Sequence, residues 1–110
     1  RFYFEEFLPQ KKGRQTRLKY LAELETSVAL YESPHRILKL LDELSTHFGE
    51  RQIMLAREMT KIYEEFLLGT ISEVKAILQE RKIQGEFVVI VEGKNAKSKN
   101  EAQENQDENY

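Results

Sequence analysis

The sequence predicts an α/β domain, a mixed five-stranded sheet with about three helices. Two apolar runs rich in β-branched residues, 28–31 and 87–91, read as buried strands. Ile37, Leu40, Leu41, Leu44 and Phe48 recur at helical spacing between them. Two further strand-like segments, 52–57 and 62–68, are joined by too few residues for a parallel crossover. The sheet is therefore expected to be mixed.

Taken in order, Phe2, Tyr3 and Phe4 end a first strand, which Pro9 closes. Residues 9–19 hold Lys11, Lys12, Arg14, Arg17 and Lys19 with no acidic residue, and Gly13 interrupts them. A helix with Leu18, Leu21 and Ala22 inward follows. The strand 28–31 runs into Ser33-Pro34, where serine is the expected N-cap and proline the first helical residue. That helix is expected to end near Gly49. In the fourth strand Ile62, Phe66 and Leu68 share one face, as in a strand that is less fully buried. Thr70 and Glu73 form a capping box opening a helix with Ile71, Val74, Ile77 and Leu78 inward. Gly85 and Gly93 bracket the last strand. The order is β-α-β-α-β-β-α-β.

At 110 residues the chain holds one domain, expected over 1–93. Residues 94–110 carry no large aliphatic side chain and are expected to form a flexible polar tail. A net charge of −2 gives no general attraction to nucleic acid, so any such contact must be local. The absence of cysteine excludes disulfides and thiolate zinc sites and fits a reducing, cytoplasmic setting. No apolar run is long enough to span a membrane. Because the chain starts without Met in a strand-like segment, it is expected to be part of a longer protein.

Three places could carry chemistry. Glu32, Ser33, His35 and Arg36 sit where a strand ends and a helix begins, the junction at which open α/β sheets bind ligands. The basic stretch from Lys11 to Lys19 could lie along phosphates, or be an ordinary solvated face. Arg57, Glu58, Met59, Thr60 and Lys61 follow the third strand and would stand near the first junction if the two strands are neighbours. Glu64 and Glu65, adjacent on a strand, point to opposite faces and cannot act on one atom together. His35 and His47 lack ligand spacing, so no metal site is expected. Arg36 could equally be a helix-surface cation paired with Glu32 or Glu58.

The segments FEEFLPQKKGRQTRL, LYESPHRILKLLDEL, LAREMTKIYEEFLLGT and GEFVVIVEG, in this order, closely resemble the C-terminal half of one family. It is that of the bacterial ribosomal RNA cytidine 2′-O-methyltransferases of the tetrapyrrole methylase superfamily. The resemblance covers about residues 2–93, with one departure. The family commonly has Gly before FLP, where this chain has Glu6.

The resemblance implies the C-terminal domain of a two-domain enzyme, with S-adenosylmethionine (SAM) as cosubstrate in the cleft and the N-terminal SAM-binding half absent from this chain. Tyr31, Glu32, Ser33, Met59 and Thr60 would complete the cofactor site. The substrate would be a cytidine ribose 2′-hydroxyl in small-subunit ribosomal RNA, and this fragment alone would be inactive. Arg36, Arg57 and Lys61 would orient RNA near the cleft, while Lys11, Lys12, Arg14 and Arg17 grip more distant phosphates. The catalytic residue is unassigned, with Glu32 and Glu58 as candidate bases. Besides the ribosomal RNA, partners would be the missing N-terminal domain and a second copy in a homodimer. Two alternatives remain open: a SAM-dependent methyltransferase acting on a tetrapyrrole or other small molecule, and a non-catalytic RNA-binding module.

Overall fold

The computed structural model describes residues 2–60 and 62–96, apart from the side chain of Glu64. The expected tail therefore lies outside the described residues from position 97 onward, as does Lys61. The elements are β1 (Phe2–Glu6), α1 (Arg14–Ala22), β2 (Ser27–Glu32), α2 (Ile37–Phe48), β3 (Gln52–Met59), β4 (Ile62–Thr70), α3 (Ile71–Gln79) and β5 (Glu86–Val91). This is the predicted order. The five strands form one sheet in the order β1-β2-β5-β3-β4. Only β1 and β2 are parallel; β5 runs antiparallel to both β2 and β3, and β3 to β4.

All three helices pack on one face of the sheet, rather than around it. Their buried residues, among them Leu18, Leu21, Leu40, Leu41, Leu44, Ile71, Val74 and Leu78, form one cluster with Val28, Leu30, Ile53, Leu55, Phe87, Val89 and Val91. Those strand residues alternate along each strand, as a half-covered sheet requires. At the leucine and isoleucine sites, truncation to Ala removes roughly 2–5 kcal/mol. Among the described residues, no helix covers the other face.

The helix starts show where local chemistry decided the structure. Thr70 accepts from the Glu73 backbone N–H (3.2 Å), and the Glu73 carboxylate accepts from the Thr70 N–H (2.9 Å), so the capping box forms as expected. Ile77, expected inward, is exposed, since α3 buries only the stripe Ile71, Val74 and Leu78. Ser33-Pro34 does not start α2. Residues 33–36 instead make a turn closed by Arg36 N–H on the Ser33 carbonyl (3.1 Å), and the helix begins three residues later, with Arg36 at its N-cap. Gly49 closes α2 at a φ of 74°.

Two glycines fix the ends of β5. A Cβ on Gly85, whose φ is 89°, would come within 2.7 Å of the Glu58 carbonyl oxygen. One on Gly93 would overlap the Glu25 backbone. Only glycine lets these backbones approach so closely.

At the end of β1, Glu6 occupies a left-handed conformation (φ 66°) where the pairing with β2 slips by a residue. This is the position at which the resemblance leads one to expect glycine. Because a non-glycine residue costs about 1–2 kcal/mol there and glycine forfeits about half of that in chain entropy, Glu6→Gly should stabilise the fold by roughly 0.5–1 kcal/mol. The urea midpoint would rise; an unchanged or lower midpoint would contradict the backbone assignment.

Candidate functional site

β1, β2 and β3 end on the same edge of the sheet, and β5 begins there. The two predicted junctions are not neighbours, however, because β5 inserts between β2 and β3. Register puts Glu32 beside Phe87, and Glu58 beside Glu86. What spans the gap is a cavity of about 500 Å³ lined by Phe7, Tyr31, Glu58, Glu86, Phe87 and Val88. Its aromatic wall is organised. The Tyr31 ring meets Phe4 edge-on at 5.1 Å, and Phe7 packs against Tyr31 at 5.4 Å.

A second, smaller depression lies on the other side of Phe7. Leu8, Gln10, Arg14, Glu32, Ser33 and Arg36 complete its lining. The alternation of β2 accounts for the division: Tyr31 points to the open face, and Glu32 to the helix side. Met59 and Thr60 line neither depression. Thr60 stands at the β3–β4 turn with a left-handed φ of 50°. Sequence reasoning missed Phe7 and Glu86, although both fall within motifs it singled out, FLP and GEF. No signal in the chain indicates that Glu86 faces Glu58, since that follows from strand order alone.

Arg14 is not a surface cation. It is 5% exposed. Its Nε and Nη2 donate to the two carboxylate oxygens of Glu43 (2.9 and 2.7 Å), and Nη1 donates to the Pro9 carbonyl (2.9 Å). Glu32 Oε2 lies 3.9 Å away. The hydrogen bond from Arg14 holds the Glu43 carboxyl below its usual range against the opposing effect of burial, and Glu43 in turn raises Arg14. Arg17 is likewise engaged, donating through Nε and Nη2 to Glu5 (both 2.7 Å) and to the Tyr3 hydroxyl (2.6 Å). Of the basic stretch, Lys11, Lys12 and Lys19 are the exposed members.

Arg36 donates to Gln10 Oε1 (3.0 Å) rather than pairing with Glu32 or Glu58. Arg57 faces Glu65 (3.4 Å), which also accepts from Arg81 (2.6 Å). Hydrogen bonding from Arg81, then from Arg57, keeps the Glu65 carboxyl low. Glu32 accepts from the Ser33 backbone N–H (2.9 Å) and faces Arg14, so it braces the strand end. Of the two candidate bases, only Glu58 lines the larger cavity. Among the described residues, no group of three or more His, Cys, Asp or Glu could hold a metal, and no helix is long and apolar enough to cross a membrane.

Comparison with known proteins places the fold. The fold is that of a tetrapyrrole-type methyltransferase. It matches the X-ray structure of cobalt precorrin-4 methyltransferase, a cobalamin biosynthetic enzyme, with a TM-score of 0.59 and 14% identity over 84% of this chain and 40% of that one. No family model matches the chain. Proteins named ribosomal RNA small subunit methyltransferase I do match. The one from Bacillus subtilis is 43% identical over 95 residues, covering 86% of this chain and 32% of that protein. The one from Haemophilus influenzae is 46% identical, covering 86% and 35%; that from Thermotoga maritima is 38% identical, covering 86% and 42%. The chain is thus homologous to one region of ribosomal RNA small subunit methyltransferase I, the family its motifs resemble. It spans a third to two fifths of the length of these relatives.

The buried pair yields a pH prediction. Glu43 is more acidic folded than unfolded, so its contribution is present above the unfolded carboxylate range and fades as pH falls through the folded value. Glu43→Gln should destabilise the neutral protein by roughly 3 kcal/mol, because it strands a buried guanidinium. It should also flatten the acid limb of the stability–pH curve. An acid limb identical to wild type would show that the pair is not what titrates.

Proposed function

We propose that this chain is the C-terminal part of a SAM-dependent methyltransferase that modifies a cytidine ribose 2′-hydroxyl in small-subunit ribosomal RNA. The observation that carries the reading is the match to ribosomal RNA small subunit methyltransferase I over 86% of the chain, with its motifs lining the cavities at the strand ends. Residues 1–93 would be the folded domain and 94–110 a polar tail. The other part of the enzyme would complete the cleft, and the setting would be cytoplasmic.

The larger cavity fits the cofactor chemically. SAM carries a cationic sulfonium and an ammonium group, and the cavity offers aromatic faces at Tyr31 and Phe7 with carboxylates at Glu58 and Glu86. When bound, SAM supplies an electrophilic methyl group. Tyr31 and Phe7 would hold it by their ring faces, while Glu58 and Glu86 would meet its positive charge. Glu32 and Ser33 would shape the adjoining wall, with Met59 and Thr60 at the turn above.

Catalysis by this domain would consist chiefly of alignment. Lys11 and Lys12, exposed on the turn before α1, would take RNA phosphates, with Arg36 and Arg57 nearer the cleft. Lys61 is proposed for the same role from sequence. Arg14 and Arg17, engaged within the fold, would instead hold this basic segment in place.

The test uses a full-length protein containing this segment, labelled SAM, and small ribosomal subunits lacking the modification. Label should appear at a ribose 2′-oxygen. Glu58→Ala should weaken SAM binding tenfold or more. Replacing Lys11 and Lys12 with Ala should lower the salt slope of RNA binding by about 1.5. SAM binding with no transfer to ribosomal RNA would overturn the substrate; transfer with unaltered Glu58→Ala binding would overturn the cofactor site.

A further inference from the structure

At the strand ends that build the larger cavity, register sets Phe87, Arg57 and Glu65 in one row across β5, β3 and β4. Phe87 belongs to the core beneath the helices, so this row lies on the helix side of the sheet. Arg81, in the loop after α3, reaches the same row. Its Nη1 donates to both oxygens of Glu65 (2.7 and 2.6 Å), and Arg57 Nε donates to Oε1 (3.4 Å). A cavity of about 160 Å³ adjoins this carboxylate, with Lys82, Gln84 and Phe87 also in its lining. The larger cavity shares Phe87 with it.

We propose that this small cavity is a phosphate site in which the Glu65 carboxylate occupies the place of the ligand's anionic group, and that the ligand is a phosphodiester of the RNA beside the reacting nucleotide. The choice of RNA rests on the methyltransferase reading; the anion site rests on the cavity alone. Charge is the first argument. Among the described residues the lining holds three cations, Arg57, Arg81 and Lys82, against the single carboxylate of Glu65, in a chain whose net charge is −2. Donor geometry is the second. Two guanidiniums from separate elements converge on one carboxylate, and such forks match phosphate oxygens as well as carboxylate oxygens. Size is the third. The cavity is small beside the roughly 300–1,000 Å³ of a drug-sized site, which suits one anionic group with its sugar and base left outside.

Exchange is easy here. Glu65 lies on the edge strand β4, and its side chain is 26% exposed against 36% for Arg81. Ion pairs this accessible add little stability, so an incoming anion displaces the carboxylate at small cost. The Arg14–Glu43 pair, 6% and 14% exposed, is locked by comparison. Alternation along β3 also gives the site a direction. Arg57 faces the helix side, while Glu58 and its neighbour Glu86 line the larger cavity. One side of these strand ends therefore favours a cation and repels phosphate, and the other does the reverse. An RNA strand with its ribose at the larger cavity would be drawn past Phe87 toward Arg57 and Arg81.

Inorganic phosphate, titrated into a full-length protein containing this segment, should shift the Nε–H resonances of Arg57 and Arg81 together at one midpoint. Glu65→Gln should lower that midpoint and tighten RNA binding about threefold, because it removes the competing charge and keeps the side chain's shape. Arg81→Gln with Lys82→Gln should weaken RNA binding about tenfold and reduce its salt slope by about 0.7 to 0.9, the change expected for one phosphate. SAM affinity should be the same in both variants. RNA binding that Glu65→Gln weakens or leaves unaltered, or phosphate shifts with no common midpoint, would overturn the proposal and make Glu65 a brace. Should Glu65→Gln lower the melting temperature, the Arg81 and Lys82 variant, altered only at exposed positions, decides the matter. Methyl transfer to RNA with a salt slope that this variant leaves unaltered would overturn the subsite and spare the proposed function. Common phosphate shifts in a protein that transfers no methyl group to RNA would support the anion site and overturn that function.

Discussion

The guanidinium of Arg14 is withdrawn from water among three parts of the chain. It ties the first residue of α1 to Glu43 in the middle of α2, and both to the Pro9 carbonyl at the head of the basic turn. Glu32 faces the same group at the end of β2. A buried charge with one partner removed costs several kcal/mol, so each of these elements is held in register by the need to keep that charge satisfied. The exposed lysines, the β2 junction and the wall of the smaller depression all hang from this contact. A residue that looks from composition like one more surface cation is the point at which loop, helices and sheet are joined.

The second constraint is the insertion of β5 between β2 and β3. It separates two sequence segments that each read as part of a site, and supplies the residues that reconnect them. Gly85 permits this by letting the start of β5 lie against the Glu58 backbone. The cavity is therefore a property of strand order.

Much of the fold was legible in the sequence because its signals are local. The stripe from Ile37 to Phe48, the Thr70–Glu73 box and the run 87–91 each state their structure within a dozen residues. The misreadings have local causes too. Ser33-Pro34 carries the residues of a helix start, yet serves a turn closed by Arg36 before the helix begins. Ile62 does not share a face with Phe66 and Leu68. A bulge pairs Arg57 with Glu65 but Glu58 with Tyr63, so Tyr63 takes the place in that line. Alternation in β4 announces two faces without saying which is covered, and that choice rests with helices elsewhere in the chain. The pairing of Arg14 with Glu43 and the meeting of Glu58 with Glu86 depend on contacts 28 or more residues apart. No window of sequence contains them.

The facing of Glu58 and Glu86 has a thermodynamic consequence. Like charges directly opposite on neighbouring strands weaken the pairing that holds them. Here they weaken the junction of β3 with β5, at the centre of the sheet. A cation settling between them would relieve that repulsion as well as contribute its own contacts. Occupancy by such a cation and the melting temperature of the sheet would then be linked quantities, and the strand ends that build the cavity would be firmest when it was filled.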